Sequence, residues 1–223
     1  MKAHCLPLMI LAASVAFGQS NDIRRLNAAA EVLNEVMQSK DRAIPQDLLE
    51  KAECAVVVPG LKKGAFIVGG KYGRGFVSCR KPNKIGWSSP AAVRVEGGSI
   101  GFQIGGSETD VVMLVMNERG MKRLLSSRFT LGGDASIAAG PVGRSSTAQT
   151  DAFLTAEILS WSRSRGVFAG VSLQGATLRQ DVDVNKALYG QALENRTILT
   201  TDVKPPEAAS QFLATLNKYS SRK

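Results

Sequence analysis

The chain has 223 residues, 44% of them hydrophobic, a formal net charge of +9, three cysteines and one histidine. That histidine, His4, falls within a leader-like start, so beyond residue 20 there is no imidazole for a Ser-His-Asp triad, a Cys-His nucleophile or a histidine metal ligand. Cys54 and Cys79, without histidine, do not make a structural zinc site, and neither a metal nor a cofactor is expected.

MKAHCLPLMILAASVAFGQS has a basic start at Lys2, an apolar run from Cys5 to Phe17 and small residues at Ala16 and Gly18. These features predict a secretory signal peptide over 1–18, cut after Gly18, and a single mature domain over 19–223. The expected location is periplasmic or secreted. In such an oxidising compartment Cys54 and Cys79 can form one disulfide; two buried free thiols are the equal alternative.

Residues 21–39 place Ile23, Leu26, Ala30, Leu33 and Met37 at spacings of three and four, one face of an amphipathic helix with Arg24 and Arg25 beside it. PQDLLEKAE predicts a short second helix opened by Pro45. From Cys54 onward the texture changes to CAVVVPG, GAFIVGG, GFVSCR, SIGFQIG and DVVMLVM, short strand-like runs parted by Gly, Pro and Lys. The intervening GGKYGRGF reads as a hairpin turn presenting Lys71, Tyr72 and Arg74. Glu118 to Ser126 reads as helix, and ASIAAGPVG, AEILSWS, GVFAGVSL and GATLRQ resume the strand pattern. DVDVN, Asp181 to Asn185, reads as a capped turn. Pro205 and Pro206 precede a last helix with Phe212, Leu213 and Leu216 on one face. Glycine inside so many strands marks bends, so the expected fold is α+β: a strongly curved antiparallel sheet or barrel, packed by an N-terminal and a C-terminal helix.

Charge is unevenly placed. Residues 60–165 carry 15 Lys and Arg against 7 Asp and Glu, whereas the rest of 19–223 carries 12 of each. A central basic excess suits an anionic partner. No catalytic pattern competes with it. GGKYGRGF lacks the hydroxyl a phosphate-binding P-loop needs after Lys71, and it lies between strands rather than before a helix. Lys186 and Ala192 stand where a calcium loop needs glycine and glutamate. Nothing in their spacing selects Glu108, Asp110 or Asp134 as an acid and base pair. SWSRSRGVFAGVSL interleaves Trp161 and Phe168 with Arg163 and Arg165, a mixture suited to a phosphate-rich interface, with Trp161 in the core as the plainer alternative.

In order along the chain, KKGAFIVGGKYGRGFV, GWSSPAAVRVEGGSIGFQIGGSETDVV, FTLGGDASIAAGPVGR, SWSRSRGVFAGVSLQGATL and KALYG followed by Pro205 and Pro206 resemble the SYLF domain family. This module lies beside SH3 and FYVE domains in eukaryotic proteins and stands alone in exported bacterial ones. The resemblance implies non-enzymatic binding of anionic phospholipid, phosphoinositides in eukaryotic relatives, through basic residues and an amphipathic N-terminal helix. It also implies actin contact in some relatives. Carried onto this chain it marks Arg24 and Arg25 on the helix and Lys62, Lys63, Lys71 and Arg74 in the strand region. The leader argues against actin and for acidic envelope lipids. The rival expectation is an envelope scaffold docking an acidic protein or polysaccharide through the basic face.

Overall fold

The computed structural model describes residues 8–39, 43–65, 68–100, 105–142, 155–164, 167–170 and 173–220. Six α-helices are seen among them: α1 (Leu8–Gln38), α2 (Gln46–Lys51), α3 (Glu118–Leu124), α4 (Val182–Tyr189), α5 (Asn195–Thr200) and α6 (Ser210–Ser220). Nine strands make one sheet: β1 (Cys54–Ala65), β2 (Val68–Cys79), β3 (Ala91–Ile100), β4 (Gly105–Val115), β5 (Arg128–Thr130), β6 (Ile137–Ala139), β7 (Ile158–Ser164), β8 (Val167–Gly170) and β9 (Thr177–Gln180). Their order is β5-β9-β3-β2-β1-β4-β7-β6, with β8 also on β7. All pairings are antiparallel except β6 with β7, which is parallel.

The sheet is curled into a half-barrel, and chain connectivity requires the curl. The strands at the two ends of the path, β5 and β6, are joined by residues 131–136 alone. Flat, the eight-strand path would hold them about 34 Å apart. The chain from Thr130 to Ile137 reaches about 25 Å at most. A bridge between Leu131 and Ala135, with the Gly132 N–H donating to the Ala135 carbonyl at 2.7 Å, closes this joint.

Both faces of the sheet are covered, which explains why DVVMLVM shows no alternation. Val112 and Leu114 join Val57, Phe76 and Trp161 beneath α1, α2 and α6. Val111, Met113 and Val115 join Val56, Val58 and Val77 on the other face with Leu124, Phe129 and Ile198. The expected helix stripe is found, with Leu26, Ala30 and Leu33 buried and Ile23 and Met37 partly covered. The helix starts at Leu8, earlier than the spacing from residue 21 suggests. No helix among the described residues is long and apolar enough to cross a membrane.

Three local elements differ from the sequence expectation. GGKYGRGF is not a hairpin turn: it lies inside the 12-residue β2, which pairs with β1 from Cys54 opposite Cys79 to Ala65 opposite Gly69. The Pro-Gly pair that looks like the end of CAVVVPG is a bulge within β1, because the register against both β2 and β4 shifts by one residue there. Gly60 takes φ +61° at this point, and a bulge is where a central strand tolerates proline. DVDVN, read as a turn, instead opens α4, with Asp181 at the cap position and Asn185 fully buried, donating to Asn195 Oδ1 and Leu193 O and accepting from the Ala92 N–H. Helix α5 has no counterpart among the sequence-predicted elements.

Gly75 packs against the β1 bulge. A Cβ there would stand 2.1 Å from the Val57 carbonyl oxygen and 2.7 Å from Val58 Cα, both backbone atoms. Gly75→Ala is therefore expected to lower stability by about 1–3 kcal/mol, whereas Gly70→Ala, with nothing within 4 Å, changes it little. Urea-unfolding midpoints of the two variants check this; equal midpoints would remove the close approach from the account.

Candidate functional site

Residues directly opposite in an antiparallel ladder share a face, and successive residues alternate. This separates the expected basic residues. Lys63 on β1 stands opposite Lys71 on β2, and the same rung continues to Ser107 on β4 and Gly97 on β3. Two ammonium groups thus lie side by side with no carboxylate on their rung. Like charges directly across strands destabilise a sheet. Burial, and then Lys71, hold the Lys63 pKa below its ordinary value.

Lys62, one residue earlier, points to the opposite face of the same sheet end and stands between Tyr72 and Glu108. Tyr72 is 46% exposed. The strand end at which β1 leaves and β2 returns therefore carries cations on both faces, with an exposed phenol among them.

The other basic residues lie on α1 or on the sheet face it covers. Arg24 and Arg25 line a cavity of about 650 Å³ with Arg163, Glu108, Asp110 and Gly60. Here charges answer one another. Arg25 pairs with Asp22 at 2.6 Å; Arg163 donates to Asp110 at 2.8 Å and also pairs with Glu35. Arg24 is exposed and bonds the neutral Asn21. Burial raises the Asp110 pKa, the Gly60 N–H at 2.9 Å lowers it and Glu108 raises it; it stands above its ordinary value.

Arg74 shares the helix-covered face but is committed to Asp181, 3.1 Å from its Nε. Burial works against the Arg74 charge, yet Asp181, Tyr72 and Asp22 together hold its pKa above the ordinary value. Arg165 lies outside the described residues. Trp161 is fully buried and donates to the Pro141 carbonyl at 2.8 Å, so it belongs to the core as the plainer reading had it.

Glu108 and Asp110 do meet in one cavity, whereas Asp134 caps a separate turn by accepting from the Thr130 N–H. General acid-base work needs a carboxyl free to exchange a proton with substrate. Both Asp110 oxygens are already engaged, Oδ1 by Gly60 and Oδ2 by Arg163. Among the described residues no group of three or more His, Cys, Asp or Glu is placed to hold a metal ion. Cys54 and Cys79, the outermost directly opposed pair of β1 and β2, are joined as a disulfide, which decides between the two alternatives the sequence left open.

The basic end missed by sequence reasoning as a unit is the Lys63–Lys71 pair. The sequence shows each lysine singly, but their opposition follows from the register of β1 on β2, which the many glycines obscure.

A family model described as Ysc84, Las17-binding protein actin regulator, matches residues 96–219. The chain is 31% identical over 200 residues to SH3 domain-containing YSC84-like protein 1 of Rattus norvegicus, covering 87% of this chain and 58% of that protein. It is 32% identical over 179 residues to LAS seventeen-binding protein 3 of Saccharomyces cerevisiae, covering 79% and 39%. It is 36% identical over 177 residues to the SH3 domain-containing protein PJ696.02 of Schizosaccharomyces pombe, covering 78% and 41%. The chain thus spans about half the length of the relatives it matches. With a family match across more than half its residues, the chain belongs to the Ysc84 family, the SYLF domain family that its ordered motifs resemble.

Proposed function

We propose that this protein is a non-enzymatic module that attaches reversibly to anionic phospholipid surfaces through the Lys63–Lys71 end of its sheet. The observation that carries this reading is the like-charge pair, which no carboxylate answers among the described residues. Two adjacent ammonium groups cost stability in the free protein, and a layer of phosphate headgroups removes that cost. Lys62, Tyr72 and Arg24 support it: the first adds charge on the other face, Tyr72 offers an amphipathic ring suited to headgroup depth, and Arg24 has no carboxylate partner among the described residues. Export is part of the proposal, supported by the leader-like pattern of residues 1–18 and by a disulfide suited to an oxidising compartment. Export would also separate the chain from partners of the kind named for its relatives, Las17 and actin, and favours acidic envelope lipids.

Each basic residue held near a charged bilayer contributes about 1 kcal/mol, so Lys63→Ala with Lys71→Ala is expected to weaken binding about thirtyfold. Co-sedimentation with phosphatidylglycerol vesicles measures this. Wild-type binding falls as salt rises and is absent from phosphatidylcholine vesicles. Equal binding to neutral vesicles, or none to anionic vesicles at low salt, defeats the proposal. Capture of an acidic envelope protein or polysaccharide that survives detergent would favour the scaffold reading instead.

A further inference from the structure

A row of arginines crosses four neighbouring strands on one rung. Arg74 on β2 stands opposite Arg94 on β3, Arg94 opposite Arg179 on β9, and Arg179 opposite Arg128 on β5. Directly opposed residues share a face, so the four guanidinium groups emerge on the side of the sheet where Phe76 and Ala92 join the helix-covered core. Three successive like-charge pairs in one sheet are unfavourable unless anions answer them.

The protein supplies only part of that answer. Asp181, 1% exposed, serves Arg74. Glu96 is shared, Oε1 lying 3.0 Å from Arg94 Nε and Oε2 3.2 Å from Arg179 Nη1. Arg128, at the outer end, is exposed and makes no ion pair among the described residues. Arg94, Arg128 and Arg179 then line a cavity of about 240 Å³ together with Ser127, Asp181 and Asp183. This is smaller than the roughly 300–1,000 Å³ of pockets for drug-sized ligands, and it presents planar forks from three strands about 4.8 Å apart. A terminal phosphoryl group, with three free oxygens and nearly two negative charges at neutral pH, matches several forks at once. A phosphodiester, with two free oxygens and one charge, matches fewer.

We propose that the cavity over Arg94, Arg128 and Arg179 is a binding site for a phosphomonoester dianion, separate from the lysine end of the sheet and independent of the vesicle-binding reading. The group is supplied either by a free phosphomonoester or by a monoester lipid headgroup. Asp183, exposed at the rim, limits affinity by repulsion.

The test is calorimetric titration of the full chain with glycerol 3-phosphate at ionic strength held constant with chloride, beside flotation on vesicles of phosphatidic acid or phosphatidylglycerol. Arg128→Ala is expected to weaken glycerol 3-phosphate binding about tenfold or more. Asp183→Asn strengthens it, and Lys218→Ala, on α6, leaves it unchanged. If the soluble ester gives no heat but Arg128→Ala weakens attachment to phosphatidic acid more than to phosphatidylglycerol, the source is the lipid headgroup and the site stands. Absence of both effects, or Arg128→Ala binding as tightly as wild type, overturns it. Because Lys63 and Lys71 take no part in this site, loss of phosphatidylglycerol binding in their double variant tests the surface reading alone.

Discussion

Arg80→Met is expected to lower the unfolding free energy by about 4 kcal/mol. Arg80 is 2% exposed. Its guanidinium donates to the carbonyls of Leu49 and Glu50 at 3.2 Å and of Ala52 at 3.4 Å, and to that of Ser220 at 2.6 Å. The first three close the C-terminal end of α2 and the last closes the end of α6. Both helix ends carry partial negative charge and carbonyls with no partner inside the helix. One planar cation with five donors answers them together, and it also lies 4.0 Å from the centre of the Trp87 ring. Methionine keeps much of the volume but leaves buried acceptors unsatisfied, at about 1–3 kcal/mol each. Arg80→Lys is expected to recover less than half of the loss, since an ammonium cannot span both helix ends. Guanidinium chloride midpoints at unchanged m-value measure this; a methionine variant within about 1 kcal/mol of wild type would show that water replaces the guanidinium.

Opening the Cys54–Cys79 bond is expected to cost about 3.5 kcal/mol. The bond closes a loop of sequence separation 25, and loop-closure entropy in the unfolded chain for that length gives this magnitude. Both cysteines are fully buried at the end of the β1–β2 ladder, one residue before Arg80 in the case of Cys79. Cys54→Ala with Cys79→Ala should therefore unfold at lower denaturant and lose all sensitivity to reductant, whereas wild type should fall to about the same midpoint when reduced. A reduced wild type as stable as the oxidised form would mean that the ladder alone holds the two strands.

Sequence reasoning reached the α+β class and the curved sheet because glycine and β-branched residues act locally: each glycine-broken strand announces a bend wherever the strand lies. The stripe of α1 was legible for the same reason, since Leu26, Ala30 and Leu33 need only helical spacing to meet one surface. Boundaries failed where a local signal had two structural uses. Pro59-Gly60 and GGKYGRGF both carry turn residues, yet the first is a bulge in a central strand and the second passes straight through β2, where Gly73 and Gly75 make room for β1. Glycine permits a turn and permits close packing equally.

The basic sites divide along the same line. From the sequence alone come the leader-like pattern of residues 1–18, the absence of imidazole after it, the excess of positive charge between residues 60 and 165, the motifs of the family, and the candidate cations one by one. Those properties belong to residue identities and short spacings, which survive in an unfolded chain. Which charges remain unanswered is a matter of register. Arg25, Arg74 and Arg163 proved to be held by Asp22, Asp181, Asp110 and Glu35, from positions 3 to 128 residues away. Lys63 faces Lys71, and Arg74, Arg94, Arg179 and Arg128 fall on one rung, only because strand pairing aligns residues scattered through the chain. Charge can be counted along a sequence, but its neutralisation depends on distances of a few ångströms that only the folded sheet sets.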